Sequence, residues 1–288
     1  MPIEQDRYAV FGNPVGHSLS PRIHALFAAQ TQQALRYEAI CPPLDGFADA
    51  VRDFITAGGR GANVTLPFKE AAYRLADELT PRAAAAGAVN TLSFRDGKIH
   101  GDNTDGAGLV RDITVNLGRD LRAARIVMLG AGGAARGAIL PLLAMQPAAL
   151  VITNRTAEKA VRLAAEFGKS GQLDAGRIIG GGFELLAGQA FDVAIDATSA
   201  GLATAENAAS AVLPAPTFSA HGLAYEMVYS RDTPFMRAAR AAGVQAVDGL
   251  GMLVEQAAEA FFVWRGVRPD TAPVLTTLRT TLRTTLPT

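Results

Sequence analysis

Residues 61–66, GANVTL, alternate strictly: Ala62, Val64 and Leu66 point to one side and Asn63 and Thr65 to the other. That pattern predicts a strand with one core face and one polar face. Upstream, YAVF at 8–11 reads as a short buried strand, followed by the loop GNPVGHSLS and a helix starting at Ser20-Pro21. Serine as cap and proline at the first helical position are favoured start signals. Lys69, in PFKE directly after the polar-faced strand, is predicted in the first turn of a helix, where a cation opposes the helix dipole. VNTLSF (89–94) and KIHGDN (98–103) flank Asp96-Gly97, a strong two-residue hairpin signal. A type I′ turn there sets Arg95 opposite Lys98 and brings Asn90 beside the turn GDNTD.

From Arg125 the texture changes. RIVMLG, ALVIT, RII, FDVAIDAT and LAYEMVY are apolar runs separated by alanine-rich helical stretches, one reaching about Met145 and another starting near Thr156. Strand-helix alternation of this kind predicts a parallel doubly wound sheet. A long helix follows near 249–265, and the chain ends in TTLRTTLRTTLPT, either a leucine-striped helix or a frayed end, with no function assigned to it.

With 288 residues, two domains are expected, and 49% hydrophobic against 19% charged residues excludes a disordered chain. The formal net charge is zero, so no global basic field recruits nucleic acid or an anionic membrane. An anionic ligand must be caught locally. The start MPIEQDRYAVFG lacks the pattern of a secretory signal, and the most apolar region, 126–153, is broken by Arg136, Pro141 and Pro147. A soluble cytoplasmic protein is expected. Cys41 is the single cysteine, and His17, His24, His100 and His221 have no carboxylate or cysteine at ligand spacing, so neither a disulfide nor a metal site is expected.

GAGGAA follows a strand and opens a helix, so Gly130, Ala131, Gly132, Gly133 and Ala134 form a candidate pyrophosphate loop at a helix N-terminus. At the end of the second strand an NAD site would carry an acid for the ribose hydroxyls. The chain instead has Asn154-Arg155-Thr156 with Lys159 and Arg162 beyond. Arginine pairs bidentately with phosphate, so NADP is favoured.

Ser18, Ser20, Asn63, Thr65, Asn90 and Asp105 all fall at strand or hairpin ends. Each has a plainer role open to it: Ser20 and Asp105 as helix caps, Asp102 or Thr104 sharing the capping, Ser18 as a loop hydroxyl, Lys69 as a surface cation. Converging, they would suit a polyhydroxylated ligand.

FGNPVGHSLSP, GANVTLPFKE, AGAVNTL, GDNTDG, GAGGAARG, ITNRT, DATSAG, YEMVY and DGLGMLVEQAAEAFFVWRG, in that order, resemble the shikimate dehydrogenase family, with a match from Tyr8 to about Pro273. The resemblance implies an α/β protein of two domains: a discontinuous substrate domain, 1–105 and 249–288, and a Rossmann-like NADP domain, 106–248. It implies substrate contacts from Ser18, Ser20, Asn63, Thr65, Lys69, Asn90, Asp105, Tyr229 and Gln256, with Lys69 and Asp105 as the catalytic pair. NADP would be held by the glycine loop, Asn154, Arg155, Thr156, Lys159, Thr198, Ser199, the Met227 backbone, Gly249 and Met252. The spacing of Gly249, Met252 and Gln256, i, i+3 and i+7, agrees with one helical stripe. Glu226 in YEMVY stands where many relatives are expected to carry Asp. The implied activity is reduction of 3-dehydroshikimate to shikimate by NADPH in aromatic amino acid biosynthesis, at a cleft between the domains, by a monomer or homodimer. A quinate/shikimate dehydrogenase also using NAD, or a silent NADPH-binding regulator, are the alternatives.

Overall fold

The residue runs read as strands build two six-stranded sheets, one in each of two units. The computed structural model describes residues 5–169, 177–198 and 216–285. The first unit comprises residues 1–108 and 253–288, the second 109–252.

In the first unit the chain runs β1 (Asp6–Phe11), α1 (Ser20–Thr31), β2 (Leu35–Ile40), α2 (Phe47–Thr56), β3 (Gly59–Val64), α3 (Lys69–Leu75), β4 (Glu78–Leu79), α4 (Pro81–Ala86), β5 (Thr91–Arg95), β6 (Lys98–Asp102) and α5 (Asp105–Arg111). The strands lie in the order β2-β1-β3-β5-β6-β4; β1 is parallel to β2 and β3, and β5 is antiparallel to both its neighbours. Ala9 and Phe11 share a core with Phe47 and Phe54 of α2 and with Phe68. On the other side of β1, Tyr8 stacks on Trp264, centroids 4.7 Å apart.

Three local expectations met different outcomes. The Asp96-Gly97 hairpin forms as expected: both residues have positive φ, 54° and 71°, and Arg95 faces Lys98. The GANVTL strand stops at Val64, so Leu66 is 63% exposed instead of buried. A turn closed by the Phe68 N–H on the Thr65 carbonyl (3.0 Å) rotates Leu66 outward, and Phe68 enters the core against Phe47, 4.9 Å away. Ser20 is the first residue of α1, not its cap; Leu19 occupies the cap position, and Ser18 Oγ accepts the Ser20 N–H at 3.3 Å.

The second unit contains β7 (Arg125–Leu129), α6 (Gly133–Ala144), β8 (Ala149–Thr153), α7 (Ala157–Gly168), β9 (Ile178–Gly181), β10 (Ala190–Asp196), β11 (Thr217–Glu226), α8 (Pro234–Ala241) and β12 (Gln245–Val247). Every pairing is parallel, in the order β12-β11-β10-β7-β8-β9, the doubly wound arrangement of a dinucleotide-binding fold. Such strands are covered on both faces, which is why β7 and β8 read as nearly unbroken apolar runs. In LAYEMVY the strand ends at Glu226, so Met227, Val228 and Tyr229 are loop. The chain leaves the first unit within α5, continues through a π-helical turn at Asp112–Asn116, and returns within α9 (Leu250–Arg265). The terminal repeat is helical as far as Thr285, in α10 (Ala272–Thr285), with Leu278 fully buried.

Candidate functional site

Two clusters of predicted residues are assembled, one within each unit. In the first unit, Lys69 opens α3 and Asp105 opens α5, and Lys69 Nζ lies 2.6 Å from Asp105 Oδ2. Both remain reachable by a ligand, with the side chains 29% and 15% exposed. Asp105 Oδ1 accepts from Asn90 Nδ2 at 2.8 Å. The same amide nitrogen is 3.0 Å from Thr104 Oγ1 and 3.3 Å from Gln256 Oε1. Asn63 Nδ2 donates to the Asn90 carbonyl (3.2 Å) and Thr91 Oγ1 (3.1 Å). Asn90 thus lies beside the 102–105 turn, as the hairpin reading expected, and Asn63 of the polar strand face reaches it.

Buried amides and hydroxyls with every group paired hold one arrangement, since leaving one unpaired costs about 1–3 kcal/mol. The turn 102–105 follows that rule at each residue. Asn103 Oδ1 accepts the Asp105 N–H (3.2 Å), Asn103 Nδ2 donates to the Ala88 carbonyl (3.0 Å), and the Thr104 N–H donates to Asn90 Oδ1 (2.8 Å). The N-terminus of α5 is thus capped by Asn103, while Asp105 turns its carboxylate to Lys69 and Asn90. Asp102 is not part of this cluster; both its carboxylate oxygens pair with Arg82 at 2.6 Å.

Tyr37, which sequence reasoning passed over, joins the cluster: its hydroxyl donates to Asn63 Oδ1 at 2.7 Å and also bonds Ser20. The only signal for it was a polar ring in β2, an edge strand with no marking motif. Burial pushes the Tyr37 phenol up, with those hydrogen bonds opposing. His24 stacks flat on Tyr37, centroids 4.2 Å apart, and burial pushes it down to about 3, so it stays a neutral ring. Thr65 stands where β1 and β3 end, its N–H donating to the Phe11 carbonyl at 2.8 Å, and Gly12 leaves room for its methyl.

The second cluster surrounds the glycine loop. Gly130 has φ +108°, a conformation favouring glycine, and a side chain there would meet the Ala197 backbone at 3.1 Å. Side chains at Gly132 and Gly133 would meet nothing within 4 Å among the described residues, and the backbone N–H groups that begin α6 have no partner within their helix. A pyrophosphate fits that combination of strand, tight turn and helix start. At the end of β8, Arg155 and Lys159 are exposed and have no carboxylate partner among the described residues, and no acid occupies the strand end. Thr156 holds the cap position of α7 without a side-chain capping bond, and Asn154 Nδ2 donates to the Thr156 carbonyl at 3.0 Å.

Gly249 is required by packing: a Cβ there would lie 2.2 Å from the Met227 carbonyl oxygen, and its N–H donates to Val228 O at 3.1 Å. Tyr225, also missed from sequence, fixes the next turn: its hydroxyl donates to Asp112 Oδ2 (2.6 Å) and accepts the Met252 N–H (3.2 Å). Beneath the Met227 turn, Asp196 and Glu226 are register neighbours on β10 and β11 and both are buried. Burial and the Asp196 charge push Glu226 up to about 7 against bonds from Thr233 Oγ1 and the Val228 N–H. Thr198 donates its N–H to Asp196 Oδ1 at 2.9 Å, whereas Ser199 lies outside the described residues. Tyr229, in the second unit, is half-buried.

No group of three or more His, Cys, Asp and Glu residues among those described is arranged to hold a metal ion, and no described helix is long and apolar enough to cross a membrane. His100 Nδ1 lies 3.2 Å from Glu78 Oε2.

Family models match three segments: residues 10–92 the shikimate dehydrogenase substrate binding domain, 112–213 shikimate / quinate 5-dehydrogenase, and 249–279 the shikimate 5′-dehydrogenase C-terminal domain. The chain is 58% identical over 276 residues to shikimate dehydrogenase (NADP(+)) of Dechloromonas aromatica, covering 95% of this chain and 97% of the relative. Among solved structures, an Ael1 enzyme from Pseudomonas putida superposes with a TM-score of 0.86 at 48% identity, covering 95% of this chain and 98% of the other. Shikimate 5-dehydrogenase from Thermus thermophilus, solved with NADP(H) and shikimate, gives a TM-score of 0.82 at 35% identity over 96% and 99% of the two chains.

Proposed function

Because the chain belongs to the shikimate dehydrogenase family, we propose that it catalyses the reversible NADPH-dependent reduction of 3-dehydroshikimate to shikimate, the reductive step of the shikimate pathway. The observation that carries this reading is the Lys69–Asp105 pair, held by Asn90 and open to a ligand. In this reading the first unit takes the substrate and the second the cofactor.

When bound, NADPH supplies the hydride that reduces the C3 ketone. The glycine loop would take its pyrophosphate, Arg155 and Lys159 the additional phosphate, and the Met227 turn with Gly249 and Met252 the nicotinamide end. The chain's own residues manage charge and orientation. The Lys69 ammonium gives its proton to the C3 oxygen as negative charge develops there, or stabilises that charge through a short hydrogen bond. Asp105 accepts from the neighbouring C4 hydroxyl and keeps Lys69 aimed by a charge-assisted bond. Asn90 and Gln256 fix Asp105 and the ring hydroxyls, while Ser18 and Ser20 offer hydroxyls to the substrate carboxylate.

The test is a matrix of initial rates on the wild-type protein, pairing shikimate or quinate with NADP+ or NAD+. Turnover concentrated in shikimate with NADP+ is the expected result. Comparable rates with quinate or NAD+ would indicate a broader dehydrogenase, and NADPH binding without any turnover would indicate a silent binder.

A further inference from the structure

Arg82 stands outside the site, yet its side chain joins the two segments that carry the groups around Asn90. It is the second residue of α4, a short helix capped by Thr80, whose Oγ1 accepts the Ala83 N–H at 3.3 Å. From there Arg82 Nε and Nη2 grip Asp102 Oδ1 and Oδ2, both at 2.6 Å, while Nη1 reaches Glu259 Oε1 at 3.0 Å. Thr80 Oγ1 adds a bond to Asp102 Oδ1 at 2.6 Å, and Asp102 Oδ1 also accepts the Asn103 N–H at 2.7 Å. Arg268 holds the other oxygen of Glu259.

The spacing gives this clamp its meaning. Asp102 lies three residues before Asp105, at the start of the turn that delivers it. Glu259 lies three residues after Gln256 on α9, on the same helical face one turn along. Asp105 and Gln256 are two of the three acceptors around Asn90 Nδ2. A single guanidinium therefore bridges the turn and the helix that flank Asn90. Burial alone would raise the Asp102 carboxyl, but the Arg82 hydrogen bonds and charge outweigh it and hold the carboxyl below the usual range. The pair is ionised and bidentate, a geometry lysine cannot reproduce.

We propose that Arg82 is a positioning residue for the substrate half of the reaction, acting on Asp105 through the 102–105 turn and on Gln256 through Glu259. The proposal rests on the shikimate dehydrogenase reading for its kinetic consequence, but its structural consequence is independent of turnover. Misplacing a binding group by about an ångström lowers efficiency by up to about 100-fold, so the expected effect of Arg82→Lys is a rise of about tenfold or more in the KM for shikimate. The KM for NADP+ should not move.

Three full-length variants decide it: Arg82→Lys, Arg82→Met, and Arg82→Met combined with Asp102→Asn. Each is measured for both KM values, kcat and Tm, and the Asn90 side-chain amide signal is recorded by 1H–15N NMR. Expected are a displaced Asn90 signal in all three and a raised shikimate KM. The double variant removes the stranded carboxylate, so its Tm should recover relative to Arg82→Met while its KM stays high. An Asn90 signal in Arg82→Lys that superposes on wild type would overturn the proposal. So would recovery of Tm and KM together in the double variant, which is what a merely stabilising arginine would give. Wild-type protein without shikimate turnover would sink the assigned reaction alone, since the Asn90 signal still decides the role of Arg82.

Discussion

The two oxygens of Asp105 face different partners: Oδ2 lies 2.6 Å from Lys69 Nζ and Oδ1 lies 2.8 Å from Asn90 Nδ2. One carboxylate thus orients a cation and is itself oriented by a neutral amide. Replacing it with an amide removes the charge that holds Lys69 and leaves an NH2 group facing one of two donors. Asp105→Asn should therefore lower kcat for shikimate oxidation by about 100-fold or more, a usual scale for loss of a positioned acid–base group. Steady-state kinetics beside an unchanged circular dichroism spectrum checks this; kcat near wild type would remove Asp105 from the chemistry.

How much of this was legible in the sequence depends on the range of the interaction that fixes each feature. The Asp96-Gly97 turn is dictated by residues that tolerate positive φ, and it carried Asn90 to the 102–105 turn as expected. The doubly wound order of the second sheet follows from strand-helix alternation and right-handed connection rules. Leu66 failed because alternation cannot show where a strand ends: a local turn replaced it in the core with Phe68. The role of Asp102 was hidden for another reason. It depends on Arg82, 20 residues earlier, and on Glu259, 157 residues later, and no local pattern announces such a meeting. Tyr37 and Tyr225 were missed likewise, since each acts through a hydroxyl whose partners are distant in sequence.

Arg155 is exposed at the end of β8 with no carboxylate partner among the described residues. Hydrogen bonds to a charged group contribute about 1.5–3 kcal/mol, or about ten- to hundredfold in affinity. Arg155→Ser should raise the KM for NADP+ by about that factor while leaving the KM for NAD+ nearly unchanged. Equal effects on both cofactors would show that Arg155 does not read the extra phosphate.

Glu226 gives the second unit a pH signature. Its carboxyl is raised from 4.5 to about 7, first by burial and then by Asp196. A group raised on folding stabilises the protein fully below its unfolded value, and that contribution is lost as pH rises through the folded value. Between pH 4.5 and about 7 the unfolded chain has released the proton that the folded chain retains, so stability falls across that window by roughly 3 kcal/mol. Glu226→Gln keeps an acceptor for the Val228 N–H and removes the titration. Urea unfolding should show the variant more stable than wild type above neutrality, with the advantage disappearing near pH 4.5. An advantage independent of pH would contradict the assignment.

Lys69 is proposed to act on the substrate oxygen, a role that a mere surface cation at the start of α3 would not have. Its most direct test is kcat for NADP+ reduction by shikimate in wild type and Lys69→Ala, with NADP+ affinity measured alongside. The expected result is a kcat lowered by about 100-fold or more with NADP+ affinity retained. A variant whose kcat stays near that of wild type would contradict it.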